Sequence, residues 1–221
     1  VRVHGVRCGR ALAESPMIGM GTELPCSVES RLDDRSWIDT VRRRFDLPRD
    51  FFIAVGRKEV AKGVSKLVEG YASWAQMRSS EGSPEVPLVF LGGGDDSLIP
   101  ASSNFRDLGF IREEEKFALM HQALATINLS AYEAFSFVVM ESWLCGTPVI
   151  VSAACAVTSG HVMRSAGGFA VSDGSELGIA LDRLSHREFG ETLGRKGRQH
   201  VREEYNWDVV TDRFVRALAG Q

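Results

Sequence analysis

The stretch SAYEAFSFVVMESWLCGTPVIVS, residues 130–152, carries two carboxylates, Glu133 and Glu141, on either side of seven residues without charge. The middle of the stretch has the pattern of a helix that ends at Gly146, and its last residues, TPVIVS, have the pattern of a buried strand. An unpaired carboxylate in an apolar core is costly. The stretch therefore raises the question of what these two glutamates do.

Apolar runs alternate with helical periodicity along most of the chain. Strands are predicted at 50–56, 86–96, 105–111, 124–130, 147–152 and 167–173, with helices after the first, third and fourth strands and three more helices after the last strand. Strands that are apolar throughout favour a parallel sheet covered on both faces, which is the doubly wound, Rossmann-like α/β architecture. Ligands of such sheets bind at the carboxyl ends of the strands. The loops after the strands are therefore expected to hold the chemistry.

Composition limits the function classes. The 221 residues are 44% hydrophobic, which is enough for a sizeable core, and 26 Lys plus Arg against 29 Asp plus Glu give a net charge of −3. No global basic field indicates a nucleic-acid partner. The four cysteines show no CxxC spacing, so neither a zinc site nor a disulfide framework is predicted. No run of about 18 apolar residues and no signal peptide is found, so the cytoplasm is expected, with the inner face of the membrane as an alternative.

The loop after the first predicted strand, VGRKEVAKGV, places Arg57 and Lys62 near the start of the following helix. Gly56 permits an unusual backbone angle there. Two fixed cations beside a helix N-terminus are typical of a diphosphate site, because an arginine can contact two oxygens while a lysine acts as a point charge. The alternative is a solvated loop with two ordinary surface cations. The next loop, LGGGDD, lets a ligand approach the backbone at residues 92–94, but a glycine cluster is more often only a turn.

The two glutamates have a candidate role at the loop before their helix. Glu133 is expected on that loop and Glu141 inside the helix, whose N-terminal N–H groups can bind phosphate or sugar oxygens. A carboxylate accepts paired hydrogen bonds from vicinal hydroxyls of a sugar ring. We therefore expect one glutamate to serve a donor sugar and the other a ribose. The alternative is that Glu133 is a loop acid and Glu141 a helix-surface acid.

With these features in place, the sequence resembles the retaining GT-B glycosyltransferases of the large E-x7-E family, of group 1. The segments EAFSFVVMESWLCGTPVIVS, VGRKEVAKG, LVFLGGGDD, DLGFI and YNWDVV are similar to family segments that occur in the same order. The resemblance covers residues 15–219, roughly, and PMIGMGTELP looks like an interdomain linker. It implies the carboxy-terminal, nucleotide-sugar-binding half of a GT-B fold.

The resemblance also implies a role for each candidate residue. Arg57 and Lys62 would hold the donor diphosphate and Glu133 would contact the transferred sugar, which makes these three the implied catalytic residues. Glu141 would bind the ribose hydroxyls. The remaining implied donor contacts lie in four segments of the chain: Gly56, Gly93, Gly109, Phe110, Ile111, Phe135, Ser136 and Phe137. No cofactor and no metal is expected, because cationic side chains and a helix N-terminus would stabilise the leaving group.

Two departures from the family pattern stand out. Where the family often has Gly-Phe-Gly after the first glutamate, this chain has Ala134, Phe135 and Ser136, so a glycine's backbone angle is not expected there. No counterpart of the family's common proline-glutamate segment precedes the last strand. His161 and Arg164 are therefore left as unassigned candidate contacts.

The sequence as a whole predicts two segments. Residues 1–20 are interpreted as the tail and linker of a missing amino-terminal acceptor domain, and 21–221 as the nucleotide-sugar-binding domain. The predicted partners are a nucleoside diphosphate sugar, that acceptor domain, and a glycan or lipid-linked glycan acceptor. The predicted function is sugar transfer with retention of configuration in polysaccharide or glycoconjugate biosynthesis. A GT-B-like nucleotide-sugar epimerase and a non-catalytic binding module are the alternatives, and the chain on its own is expected to be inactive.

Overall fold

The computed structural model describes residues 19–219 as one parallel sheet covered by helices. The predicted tail and linker at 1–20 lie, except for the last two residues, outside the described part. The strands are β1 (Phe52–Val55), β2 (Leu88–Leu91), β3 (Phe105–Asp107), β4 (Thr126–Asn128), β5 (Val149–Ser152) and β6 (Gly168–Val171). The helices are α1 (Cys26–Glu29), α2 (Arg35–Arg44), α3 (Val64–Ser80), α4 (Glu113–Gln122), α5 (Phe137–Leu144), α6 (Ala156–Ser165), α7 (Gly174–Leu184), α8 (Arg187–Glu204) and α9 (Trp207–Ala219).

The strand order is β3-β2-β1-β4-β5-β6, and all neighbours pair in parallel. The chain moves outward from β1 to β3 and then returns to the other side of β1 with β4. The order therefore reverses between β1 and β4, which makes a crevice at the carboxyl ends of these two strands. The predicted doubly wound α/β fold is confirmed.

The core has two layers, one on each face of the sheet, because successive strand side chains point to opposite faces. Phe52 belongs to the layer under α3 and α7, whereas Phe51 and Ile53 belong to the layer under α4, α5 and α8. Both faces are buried, which explains why the strands read as continuous apolar runs rather than as alternating ones.

The end of β3 and the presence of α6 differ from the predictions. The third strand was expected to reach Ile111, but β3 ends at Asp107, whose Oδ1 accepts a hydrogen bond from the Gly109 N–H at 3.0 Å and turns the chain. Helix α6 was not predicted at all. It buries the polar residues Thr158, His161 and Ser165 and only one apolar residue, Val162, so it carries little of the periodicity that identifies a helix.

Candidate functional site

A cleft of about 260 Å³ lies at the reversal point of the sheet. Its walls come from the loop after β1, the end of β4, the loop that follows β4 and the first turn of α5. Arg57, Lys62, Glu133, Ser136 and Phe137 all line it. Gly56 lines it as well, so six of the predicted site residues, taken from distant parts of the sequence, meet in one place.

Lys62 and Glu133 form the central pair of the cleft. The Nζ atom of Lys62 lies 2.9 Å from Oε1 of Glu133, and the Glu133 side chain is only 14% exposed. Lys62 does not begin α3 as expected; it ends a short 3-10 turn at Val60–Lys62, and Gly63 then caps the helix. Gly63 has φ +77°, and a Cβ there would lie 2.3 Å from the carbonyl oxygen of Leu129. Only glycine allows the loop to pack this closely against the end of β4.

Arg57 lines the same cleft from its outer rim. Its guanidinium is 71% exposed and lies 2.9 Å from Glu59, so its position is set by a surface ion pair. Gly56, directly before it, has φ +140°, which fits the unusual backbone angle that the sequence suggested. Arg57 can therefore turn toward a ligand at small cost, in contrast with the more enclosed Lys62.

The first turn of α5 supplies N–H groups to the cleft. Ser136 caps this helix with φ +66°, which is the left-handed region, and its hydroxyl accepts a hydrogen bond from Asn128 at 3.2 Å. The expectation that a glycine-like angle would not be reached here is therefore wrong: the serine adopts that angle and is held in it by the end of β4. The N–H groups of Phe137 and Val138 precede the first intrahelical bonds and point out of the helix N-terminus.

Glu141 does not line the cleft. It lies one turn further along α5, where both of its carboxylate oxygens are 3.0 Å from Nζ of Lys116 on α4, and each side chain is 20% exposed. In the sequence Glu141 has few polar neighbours. In the structure its cationic partner is Lys116 of the neighbouring helix. This partly open position leaves the carboxylate able to contact a ligand that extends beyond the cleft.

The glycine loop after β2 packs against the loop after β1. A Cβ at Gly92 would lie 2.3 Å from the carbonyl oxygen of Gly56, and one at Gly94 would lie 2.5 Å from that of Lys58. At Gly93 the neighbour is the ring of Phe110, 2.6 Å from the position of a Cβ. The glycines are therefore required by contacts between loops, and a role for Gly93 in donor binding stays a prediction.

Gly109, Phe110 and Ile111 follow β3 at the same edge of the sheet but outside the cleft lining. Gly109 has φ +58°, and its carbonyl accepts a hydrogen bond from the Gly92 N–H at 2.7 Å. Phe110 is 86% exposed, whereas Ile111 packs partly against the core. An exposed aromatic ring at this edge is suitable for stacking on a flat ligand.

Sequence reasoning missed Lys58. Its side chain is 3% exposed and its Nζ lies 2.6 Å from Asp96 and 2.5 Å from Asp107, so it connects the loops after β1, β2 and β3. Burial acts against the charged form, but the hydrogen bonds that Lys58 donates to Asp107 and Asp96 outweigh it and raise the pKa of Lys58. Nothing in the sequence distinguished this lysine from its neighbour Arg57, which also follows the strand.

The loop that carries Glu133 is supported from behind by an aromatic cluster. The ring of Phe135 is in edge contact with those of Phe137, His161 and Tyr205. Phe135 is 8% exposed and does not line the cleft, so its side chain supports the loop rather than facing a ligand. His161 and Arg164, left unassigned by the sequence, belong to this support, since Arg164 Nη2 lies 3.0 Å from Nδ1 of His161.

A cationic cleft with a helix N-terminus at the reversal point of a doubly wound sheet is typical of domains that bind nucleotides. The particular family follows from comparison of the sequence: residues 37–192 match the model of the glycosyl transferases group 1, and the chain belongs to that family. The resemblance seen in the sequence is confirmed at this level.

Curated relatives include two mycobacterial enzymes. Glycogen synthase from Mycobacterium tuberculosis is 25% identical over 202 residues, which cover 88% of this chain and 48% of the relative. MMP alpha-(1->4)-mannosyltransferase from Mycolicibacterium hassiacum is 31% identical over 182 residues, which cover 76% of this chain and 42% of the relative. The chain thus spans about half the length of the curated relatives it matches.

Solved structures agree on the fold. Sucrose-phosphate synthase from Thermosynechococcus elongatus superposes with a TM-score of 0.64 at 25% identity, covering 82% of this chain and 48% of the other. The HepE protein of Anabaena, in complex with UDP and glucose, superposes with a TM-score of 0.70 at 17% identity. The match covers 98% of this chain and 60% of the HepE chain. Among the described residues, none of the helices has the length and apolar character that crossing a membrane would require.

Proposed function

We propose that this chain is the donor-binding part, residues 21–221, of a retaining glycosyltransferase that uses a nucleoside diphosphate sugar. The observation that carries the proposal is the position of Lys62 beside Glu133 at the reversal point of the sheet. A cation for the diphosphate and a carboxylate for sugar hydroxyls are thereby placed one hydrogen bond apart. Structures of the fold that were solved with UDP, and with UDP and glucose, support this donor class.

Each part of the cleft has a role in the proposal. Lys62, Arg57 and the N–H groups that begin α5 hold the diphosphate, and Glu133 accepts hydrogen bonds from the sugar. Glu141, outside the cleft lining, receives the ribose hydroxyls, and its pairing with Lys116 fixes the direction of its carboxylate. Gly109, Phe110 and Ile111 border the base.

In the proposed reaction the bond between the anomeric carbon and the diphosphate oxygen breaks, and its electron pair remains on the diphosphate. The cations and helix N–H groups stabilise that charge, which is the part of the barrier that this chain can lower. The acceptor hydroxyl forms the new bond on the same face, and its proton leaves on the diphosphate. Because fixed cations neutralise the leaving group, the proposal includes no metal.

The acceptor is proposed to be a glycan or lipid-linked glycan, bound by a further amino-terminal domain, in polysaccharide or glycoconjugate biosynthesis at the cytoplasmic side. Curated relatives of about twice this length fit such a partition. The chain by itself is then expected to bind the donor and to transfer almost none of its sugar.

Thermal-shift titration tests the donor site. UDP, GDP, ADP, dTDP and their sugar conjugates are titrated into the parent chain and into Lys62→Ala, Glu141→Ala and Arg183→Ala, the last being an exposed control on α7. A ligand at about 100 times its Kd stabilises the fold by roughly 2.7 kcal/mol, which raises the melting temperature measurably. We expect one nucleotide to stabilise the parent and the control but not the Lys62 variant, with a weaker effect for the Glu141 variant.

Two outcomes would contradict the proposal. If no nucleotide or nucleotide sugar raises the melting temperature, the cleft is not a donor site. If NMR of the donor shows isomerised sugar, the epimerase alternative replaces transfer. In the described cleft lining, however, Glu133 is the one carboxylate and it is already paired with Lys62, so the lining provides no obvious acid/base pair.

A further inference from the structure

A second, larger cavity of about 700 Å³ lies at the opposite edge of the sheet, where β4 and β5 begin. Leu124 and Pro148, just before these strands, form its floor, and α2, α4 and α8 contribute its walls. Because the donor cleft lies at the carboxyl ends of the strands, the two sites are separated by the length of the sheet. The volume is in the range of small-molecule sites.

The lining of this cavity, called here the arginine cavity, is strongly cationic. Two carboxylates, Asp39 and Glu191, line it together with six arginines: Arg35, Arg42, Arg49, Arg187, Arg195 and Arg198. The chain as a whole has net charge −3. Six guanidinium groups in one concave surface are therefore a local excess of positive charge on a chain whose net charge is negative.

Most of these guanidinium groups lack an acid partner. Asp39 pairs with Arg42 and Asp50 pairs with Arg187, at 3.3 Å and 2.8 Å. The other four, Arg35, Arg49, Arg195 and Arg198, have no carboxylate within 4.0 Å among residues 19–219. Unneutralised charges that converge in a cavity repel one another, and an anion would relieve this repulsion.

Arg187 and Arg198, like Arg42, are held in position by backbone carbonyls. Arg187 donates from Nη2 to the carbonyl oxygens of Arg49 at 2.6 Å and Gln122 at 3.1 Å, and Arg198 donates from Nε to that of Leu144 at 2.8 Å. Burial and the nearby Arg202 lower the pKa of Arg198. Guanidinium groups held in place by backbone carbonyls lose little conformational entropy when they bind a ligand.

We propose that the arginine cavity binds a small molecule with two or more phosphate groups, independently of the donor cleft. Planar guanidinium groups match phosphate oxygens in paired hydrogen bonds, and several of them surround a common space here. A concave site favours a small phosphorylated molecule over the flat surface of a membrane.

Calorimetric titration with inorganic pyrophosphate tests the inference. The donor cleft is first disabled by Arg57→Ala with Lys62→Ala, so that remaining binding is assigned to a different site. In this background we expect pyrophosphate to bind, and the added triple change Arg35→Gln, Arg49→Gln, Arg195→Gln to weaken it at least tenfold. The matched control, Arg106→Gln, Arg183→Gln, Arg216→Gln, removes the same charge from exposed positions elsewhere and should leave the affinity unchanged.

Three results would overturn the inference. The first is the loss of pyrophosphate binding with the donor-cleft changes alone. The second is an equal weakening of binding by the two triple variants, which would indicate only general charge attraction. The third result comes from flotation with vesicles. If the chain binds phosphatidylglycerol vesicles but neither phosphatidylcholine vesicles nor pyrophosphate, the arginines contact a membrane surface instead. Equal melting temperatures of the variants without ligand show that each one is folded.

Discussion

Lys62 and Glu133 are 71 residues apart in sequence and lie 2.9 Å apart across the crevice between β1 and β4. Gly63 and the end of β4 hold the Lys62 loop, and Phe135 and the aromatic cluster behind it hold the Glu133 loop. Glu133 therefore neutralises the cation that a diphosphate would need. A donor that binds here has to compete with Glu133 for Lys62.

This competition gives opposite predictions for the two members of the pair. Lys62→Ala should weaken the binding of the free nucleoside diphosphate by about 10- to 100-fold, the equivalent of about 1.5–3 kcal/mol for a charge-assisted hydrogen bond. Glu133→Gln removes the competing charge, so it should tighten binding of the same nucleotide while weakening that of the nucleotide sugar. Isothermal titration calorimetry measures both affinities.

Lys66→Ala is the control for the loss of a lysine, because Lys66 lies in the first turn of α3 and outside the cleft lining. Its affinity for the nucleotide should equal that of the parent. The competition would be refuted if Glu133→Gln weakened nucleoside diphosphate binding as much as Lys62→Ala does.

The left-handed backbone of Ser136 predicts an unusual order of stabilities. Ser136→Gly removes the steric cost of this conformation, about 1–2 kcal/mol, but loses the hydrogen bond from Asn128. Ser136→Ala keeps the steric cost and loses the same bond. We therefore expect the glycine variant to be the more stable of the two by about 1 kcal/mol in urea unfolding.

Ala166→Gly provides the positive control, because Ala166 also has a left-handed backbone, with φ +51°, at the end of α6. It should raise the free energy of unfolding. An alanine variant of Ser136 that proved as stable as the glycine variant would show that the backbone angle carries no cost.

The sequence predicted the sheet well and the ion pairs poorly, for identifiable reasons. Strand β2 is apolar throughout and β5 is apolar up to its last residue, Ser152, because both faces of the sheet are covered, and this pattern can be recognised locally in the sequence. The loops after parallel strands meet at one edge of the sheet, so the strand pattern is enough to predict that Arg57, Lys62 and Glu133 lie together.

What the sequence could not predict depends on contacts between distant residues. Lys116 and Glu141 lie on different helices, and their pairing requires the packing of α4 beside α5. Lys58 becomes a buried connection between loops only because Asp96 and Asp107 follow neighbouring strands. The left-handed angle at Ser136 depends on a hydrogen bond from β4, so a rule based on glycine alone missed it.

Glycines in α7 and α8 predict opposite effects for the same substitution. A Cβ at Gly197 would lie 2.1 Å from Cδ1 of the fully buried Trp143, whereas one at Gly178 would lie no closer than 3.9 Å to Trp74. Gly197→Ala should lower the free energy of unfolding by about 2 kcal/mol, because overpacking outweighs the gain in helix propensity. Gly178→Ala should raise it by about 0.5–1 kcal/mol. Equal effects in urea unfolding would contradict the close packing of α8 on Trp143.

His161 links the loop that carries Phe135 to α6, and its surroundings disfavour a charged ring. The residue is 4% exposed, and its Nδ1 lies 3.0 Å from a nitrogen of Arg164 and 3.3 Å from the hydroxyl of Tyr205. Burial, then the charges of Arg164 and His200, lower the pKa of His161 to about 4. The pKa of His200 is lowered in the same direction, mainly by burial.

Because the pKa of His161 is lower in the folded chain, the imidazole of the unfolded chain is protonated at pH values at which the imidazole of the folded chain is still neutral. Stability should therefore be complete above about pH 6.5 and fall as the pH drops toward 4, by up to roughly 3 kcal/mol from this residue. Urea unfolding at about pH 7 and pH 5 measures the slope before most carboxylates become protonated. His161→Leu should be less stable at neutral pH but should show a smaller loss between the two pH values, whereas His186→Gln, at an exposed position, should keep the parent's slope. An unchanged slope in the leucine variant would mean that His161 accepts a proton as readily in the folded chain as in the unfolded one.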